Sequence, residues 1–418
     1  MSDANTAWML VCTALVLFMT PGLAVFYGGM VRSKNVLGTA MQSLICIGVV
    51  SLVWAFIAYS LAFGPDVGGV VGSLKFAGLE HLSGVPGLHL TFPPLLFAAF
   101  QMMFAVITAA LISGAGAGRL RFTGFAAFVL VWSVVVYAPL AHWVFSPHGW
   151  LAARGVLDFA GGSVVEINSG ASGLALVLVI GAARGWPREA VAPHSLPLTV
   201  IGAGILWFGW FGFNAGSALS TGGVAVHALV STHLAACAGM LAWLVAERAR
   251  TGHATTLGGA SGAVAGLVAI TPAAGYVDSL PAMLLGAVAG VAAFGAVRLK
   301  FRLGYDDTLD VVGVHYVGGF VGMLLLGIFA SHAVNPAVHH QGLAYSGSLW
   351  LLGRQALAVV VSTTFAFTAT YVVARLVNAV VPLRCTPEEE YDGLDQSQHA
   401  ESAYDFGLAR TTAGRIGT

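Results

Sequence analysis

Two ionisable residues stand in apolar surroundings. Glu166 lies in DFAGGSVVEINSG (158–170), and from Ile167 to Ala182 the chain carries no further charge. His315 lies in DDTLDVVGVHYVGG (306–319). Glu166 is followed by Gly170 and Gly173, and His315 by Gly319 and Gly322, at +4 and +7 in both cases. Asp158 precedes the first and Asp310 the second. Inserting a charge at the centre of a membrane helix costs roughly 2.5–3.5 kcal/mol on insertion scales. A carboxyl and an imidazole sharing one proton are neutral together, and such a pair can accept or release that proton. An ionisable residue in a span is by default a functional one. The plainer alternative is a hydrogen-bonded pair that only locks two helices. Asp158 and Asp310 sit nearer the span ends, where aspartate caps helices by accepting backbone N–H bonds, so both are expected near the site in structural roles.

A second constellation is aromatic. FAAFQMMFAVITAAL (97–111) spaces Phe97, Phe100 and Phe104 at roughly helical intervals, and WFGWFGFNAGSA (207–218) brings Trp210, Phe213 and Ser217. Two readings stay open. Such stripes pack helices or form an interfacial belt, or they make a cation–π site for a small ammonium-type ion, worth about 1–2 kcal/mol when desolvated. No HExxH spacing and no nucleophile–base–orienter set stands out. The four cysteines show no paired spacing. We therefore expect no metal, no cofactor, no disulfide and no enzymatic activity.

The elements that must position these residues follow from composition. The chain is 57% hydrophobic and 9% charged, against about 25% charged in soluble domains. This is an all-α polytopic membrane protein. Its net charge of zero gives no basic field for nucleic acid. The N-terminus lacks a basic n-region, so the first apolar run reads as a retained span and not a cleaved leader. Eleven runs are long enough to span: 7–31, 38–63, 93–117, 122–143, 163–183, 197–219, 225–248, 256–274, 280–299, 311–330 and 349–378. Fifteen Lys and Arg, from Arg32 and Lys34 to Arg410 and Arg415, fall on one side, and Lys75, Arg154 and Arg354 on the other. The positive-inside rule then places the N-terminus outside and the C-terminus in the cytoplasm. Glu166 and His315 fall in spans five and ten, which run in opposite senses. That is the pattern of a five-plus-five inverted repeat followed by a long last helix, with the pathway at the repeat interface. Most of the 54 glycines are expected to serve close helix packing. Residues 1–382 form the membrane domain and 383–418 a cytoplasmic tail. That tail, TPEEEYDGLDQSQHAESAYDF, is polar and acidic; it reads either as a docking segment or as a solvated disordered end.

Taken in order, TPGLAVFYGGMVRSKN (20–35), DFAGGSVVEINSG, WFGWFGFNAGSA, DDTLDVVGVHYVGG and GLDQSQHAESAY (393–404) resemble the motifs of the ammonium transporter (Amt/Mep/Rh) family, Amt/Mep branch, over nearly the whole chain. The resemblance implies a homotrimer in the plasma or inner membrane with one pore per subunit. Ammonium or methylammonium would be the substrate. Membrane lipid and a cytoplasmic PII-type signal protein would be partners. By the same resemblance Phe104 and Phe213 match the stacked phenylalanines of the outer mouth, and Phe100 and Ser217 part of the outer recruitment site. Asp158 matches the aspartate that organises that site, and His315 the second residue of the twin-histidine pair. Two positions depart from the pattern. Glu166 stands where most members carry the first histidine, as in some fungal-type members, and Phe145 stands at the place of the recruitment tryptophan. The readings that compete are an ammonium sensor or transceptor, an intramembrane acid–base enzyme, and an Rh-like gas channel.

Overall fold

The computed structural model describes residues 1–189 and 192–404. Eleven apolar helices dominate it: α1 (Asp3–Met30), α2 (Ser33–Phe63), α3 (Pro94–Ala115), α4 (Phe122–Phe145), α5 (Gly162–Ile180), α6 (Leu196–Gly216), α7 (Gly223–Thr251), α8 (Thr256–Ile270), α9 (Ser279–Leu303), α10 (Val312–Phe329) and α11 (Trp350–Val380). Ten of them are long and apolar enough to cross a membrane. α8 stops at Ile270, short of the expected 274, because Pro272 has no N–H to continue it. The chain instead turns there, and the Pro272 carbonyl accepts the Phe159 N–H at 3.0 Å. Two-residue strands β1 (Asp66–Val67) and β2 (Val71–Gly72) pair antiparallel in the loop after α2.

The helices are apolar on every side. Phe56, Leu241, Val245 and Leu280 point outward and are well exposed, as side chains facing lipid must be. Only helices that satisfy their own backbone groups, or closed barrels, can span hydrocarbon. Helices α1–α5 and α6–α10 form the two halves. α1 lies along α6, α5 crosses α10, and α11 packs across α5 and α10.

Small residues set the spacing. A Cβ at Gly319 of α10 would stand 2.8 Å from Glu166 Cβ, and one at Gly170 of α5 would stand 2.5 Å from Tyr316 Cβ. These are the +4 glycines of the two motifs, and each lies against the other half. Gly239, Gly262 and Gly266 pack α7 on α8 with the same economy of volume.

The helix entries correct one expectation. Asp158 accepts the N–H groups of Gly161, Gly162 and Ser163 at 2.7–2.8 Å. The matching cap on α10 is made by Asp307, which accepts from Val311 and Val312 at 3.0 and 2.7 Å. Asp310 does not cap: it sits at φ 61° and accepts from Lys300 Nζ at 2.6 Å. Asp307 stands eight residues before His315 as Asp158 does before Glu166, which places the caps in register across the repeat. Both helices then open with a wide turn. The Glu166 N–H donates to Gly161 O at 3.1 Å, five residues back, and Val317 donates to Val312 O. Such π-turns shift the facing of the side chains that follow.

At the basic end the buried Arg119 ties the halves. It donates to Gly181 O (2.9 Å), Thr308 Oγ1 (2.6 Å) and Asp306 O (2.6 Å), with the Asp306 carboxylate at 3.4 Å. Arg119→Met strands that carboxylate and two carbonyls. Loss of one partner of a buried pair costs about 3–5 kcal/mol. We expect a large drop in the thermal unfolding temperature of the detergent-solubilised protein, with no comparable drop for the exposed Arg154→Met.

Candidate functional site

The core of the site is the meeting of α5 and α10. His315 Nδ1 lies 2.8 Å from Glu166 Oε2, and both side chains are almost fully buried. The structure thus brings together the two residues singled out in the sequence. Glu166 Oε1 has no hydrogen-bond partner among the described residues. Two charges taken out of water are costly, and one shared proton makes the pair neutral.

The pair borders a narrow lumen otherwise walled by apolar side chains, among them Leu23, Ile107, Leu206, Trp210 and Phe213. Its volume is about 10 Å³, room for about one water-sized sphere. Phe213 on α6 stacks on Phe104 of α3, with ring centroids 4.1 Å apart and an interplanar angle of 12°. Near-parallel rings at this separation are a favourable aromatic arrangement when offset. Phe100 sits edge-on to Phe104 at 4.9 Å, and Trp210 braces Phe213 at 5.8 Å while donating Nε1–H to Thr271 Oγ1. Phe104 and Phe213 are buried and close the lumen on one side.

Beyond the stack lies a hollow of about 190 Å³. Phe104 forms its floor, and Phe145, Asp158 and Ser217 line it. Phe145 meets the Phe104 ring edge-to-face at 6.4 Å. Ser217 Oγ donates to Phe213 O at 2.8 Å, leaving its lone pairs available. Phe100 does not reach this hollow. It is fully buried behind Phe104, against Gly216. Phe213 lines the inner lumen and not the hollow. Asp310 lies at the other end, beside Lys300. Several lining residues escaped the sequence reading, among them Gln101, Phe159 and Tyr276. Gln101 is adjacent to Phe100 and Phe159 to Asp158, so their motifs contained them; Tyr276 carried no pattern of its own.

The rim of the hollow is tied down. His142 of α4 contacts Ala62 O (2.8 Å) and Asp66 Oδ1 (2.9 Å), and Trp143 Nε1 donates to Val70 O at 2.7 Å. The β1–β2 hairpin is thereby fixed to the helix that carries Phe145. The hydrogen bond with His142 holds the Asp66 carboxyl below its ordinary range. Among the described residues no cluster of His, Cys, Asp and Glu is arranged to hold a metal ion.

These features define a class: a multi-pass membrane protein whose two inverted halves enclose a narrow, aromatic-capped lumen beside a buried carboxyl–imidazole contact. The model of the Ammonium Transporter Family matches residues 7–404. The chain is 48% identical to the ammonium transporter of Mycobacterium tuberculosis over 97% of its own length and 91% of that protein. It is 47% identical to that of Bacillus subtilis, covering 97% and 99%. It superposes on the crystal structure of Saccharomyces cerevisiae Mep2 with a TM-score of 0.86 at 36% identity, covering 93% of this chain and 88% of that one. The chain belongs to the ammonium transporter family.

The stack makes the first functional prediction of this geometry. Phe213→Ala removes one ring of the closure and widens the mouth. We expect water permeability and potassium leak to rise in proteoliposomes; unchanged flux and unchanged ion rejection would remove Phe213 from the pathway.

Proposed function

We propose that this protein is an ammonium transporter that gathers NH4+ in the hollow before the phenylalanine stack and conducts NH3, with its proton handled by Glu166 and His315. One observation carries the reading: a carboxyl and an imidazole 2.8 Å apart at an apolar lumen too narrow for a hydrated ion. Ammonium and potassium have nearly equal size and the same charge, so a cage of carbonyls would separate them poorly. Ammonium can give up a proton and potassium cannot. A dry lumen then passes the neutral base and rejects ions through their cost of dehydration.

The roles follow from what each group can do. The faces of Phe104 and Phe145 attract a cation, and the lone pairs of Ser217 accept its N–H bonds. Phe145 offers no N–H and a weaker cation–π face than a tryptophan would. Asp158 spends its carboxylate on the backbone of the α5 entry and so shapes the hollow without touching the ion. Glu166 holds the place that family resemblance gives to the first of two histidines. A neutral Glu–His pair holds one exchangeable proton, whereas two neutral imidazoles hold none and can only gain one. Losing that proton leaves a negative site that steadies a passing cation or takes its proton, and Glu166 Oε1 is free to accept the bond.

The basic loops and positive-inside rule support an outer N-terminus and a cytoplasmic C-terminus. The family supports a homotrimer in the plasma or inner membrane. The tail supports a regulatory role by its contacts. Its short helix α12 (Pro387–Asp392) opens with a Thr386–Glu389 capping box. Glu389 pairs with Arg121 at 2.7 Å, and Glu390 accepts from Arg184 N at 2.7 Å and pairs with Arg384 at 2.9 Å. Helix α13 (Leu394–His399) follows; Asp395 accepts from Gly38 N at 2.8 Å, and the Tyr404 hydroxyl lies 2.8 Å from His194 Nε2. One segment thus touches the first turns of α2 and the loops after α3 and α5. Glu390 also borders a hollow lined by Arg32, Arg184 and Asp306. A PII-type protein binding there would reach both tail and exit. Residues 405–418 of the tail, with Arg410 and Arg415, lie outside the described residues.

Two predictions test this reading. Glu166→His should lower the charge moved per ammonium taken up and shift the pH optimum, measured as current and uptake on the same proteoliposomes, while Glu166→Ala should impair selective transport by leaving His315 alone. An unchanged charge ratio and pH profile in Glu166→His would reduce Glu166 to a packing partner. Truncation after Arg384 should lower transport several-fold without dissolving the assembly; full activity would remove the regulatory role of the tail.

A further inference from the structure

One buried histidine at the rim of the hollow faces only acceptors. His142 lies in the last turn of α4, ahead of Phe145, and its side chain is fully buried. Its Nδ1 is 2.8 Å from Ala62 O and its Nε2 is 2.9 Å from Asp66 Oδ1. Ala62 lies one residue before the end of α2, and the last carbonyls of a helix have no donor within it. That carbonyl can only accept. So can the Asp66 carboxylate, which takes the Gly69 N–H on both oxygens at 2.8 and 3.0 Å. A neutral imidazole carries one N–H and can serve one of these two acceptors. The ring that makes both bonds is the imidazolium. Its charge is met by the carboxylate and by the C-terminal ends of α2 and α4, which favour a cation.

Three segments meet at that ring: the end of α2, the β1–β2 hairpin and the end of α4. The hairpin also meets α4 through Trp143 Nε1 on Val70 O, and the turn after α4 through the Trp150 N–H on Gly69 O at 3.2 Å. Those two bonds involve no titratable group; the His142 bridge does. Phe145 stands three residues further along the same helix, edge-on to Phe104. The other charged or titratable groups on the elements packed here are few. His148, exposed on the turn after α4, adds a smaller pull that lowers Asp66. Arg154 lies over the Trp150 ring at 5.0 Å. Asp158 at the α5 entry is occupied by three backbone N–H groups.

We propose that His142 is a positioning residue for the ammonium site, a latch closed while its ring holds both protons and opened when it loses one. The proposal rests on the reading that the hollow gathers the cation. As pH rises, the neutral ring gives up either Ala62 O or Asp66. The stranded acceptor turns to water, the hairpin leaves the helix end, and Phe145 loses its fixed place against Phe104. The cation is then held less well. The concentration for half-maximal uptake rises, while the maximal rate, set at Glu166 and His315, does not fall. Acid has little effect on the latch until Asp66 itself takes a proton, and its carboxyl lies below the ordinary range.

Asp66→Asn separates a latch from a plain structural bond. The amide can donate to a neutral ring through Nδ2 and still accept the Gly69 N–H through Oδ1. The neutral ring then keeps both contacts. Full-length protein in proteoliposomes is assayed for methylammonium uptake across about pH 5.5–8.5, the range in which histidine titrates. Half-saturation is expressed per methylammonium ion. Hydrogen exchange of residues 64–75, corrected for the intrinsic rate, follows the latch itself on the same samples. In wild type, half-saturation and exchange should both rise several-fold with pH. In Asp66→Asn both should stay near the wild-type values at low pH, and His148→Gln should respond as wild type does. Any pH dependence from Glu166 and His315 is common to all three proteins and drops out of the comparison. Exchange that ignores pH in wild type would overturn the proposal, as would an equal rise in Asp66→Asn. Loss of the response in His148→Gln would assign it to that residue and overturn it as well. A wild type that takes up no methylammonium while its exchange still follows pH would remove the ammonium reading and support the latch.

Discussion

Everything in this molecule is arranged around a carboxyl–imidazole contact held away from water. Glu166 and His315 touch at 2.8 Å, and neither has solvent to stabilise a charge. The contact requires two helices of opposite sense to approach closely, and the glycines at 170 and 319 make that approach possible. It also requires both helices to begin at matched depth. Asp158 and Asp307 set that depth by capping the first turns, each eight residues ahead of the pair. The Phe104–Phe213 stack lies between that lumen and the hollow beyond it. Selectivity, in this account, is the outcome of dryness: a route without water or carbonyl ligands offers an alkali ion nothing in exchange for its hydration shell.

How much of this was legible in the sequence depends on which force wrote it. The helices were legible because lipid demands apolar side chains on every outward face, and a helix is the simplest way to satisfy a backbone in hydrocarbon. The pairing of Glu166 with His315 was legible because a repeat leaves a spacing, and charges in spans need partners. The cap on α10 was misread. Asp310 is nearer the span, but an aspartate must lie four or five residues before the N–H groups it caps here, and Asp307 has that reach. The equal spacing of Asp158 and Asp307 from the pair was the clue. The end of α8 was placed too late because apolar composition continues past Pro272 while the missing N–H does not allow the helix to. Tyr276 reached the hollow through a turn whose path no periodicity records.

The two ends of the protein are held by different physics. The end with the β hairpin is fixed by a few directed bonds, from His142 and Trp143, that keep the hollow in shape. The basic end is held by charge. Arg119 is buried and shared among three segments, while Arg121 pairs with Glu389 of the tail and the Arg184 backbone N–H donates to Glu390. Exposed pairs of this kind contribute little each, typically up to about 1 kcal/mol. A tail held by several weak contacts can be released by a partner that competes for some of them, which suits a regulatory segment better than a structural one.

The central claim is that the pair exchanges a proton with the solute. Infrared difference spectroscopy on the reconstituted protein, with ammonium or potassium pulsed over the film, reads the carboxyl band directly. The account predicts a protonated-carboxyl band that changes with ammonium, does not change with potassium, and is missing in Glu166→Gln. A Glu166 band indifferent to ammonium would contradict it and leave the pair as a hydrogen bond between two helices.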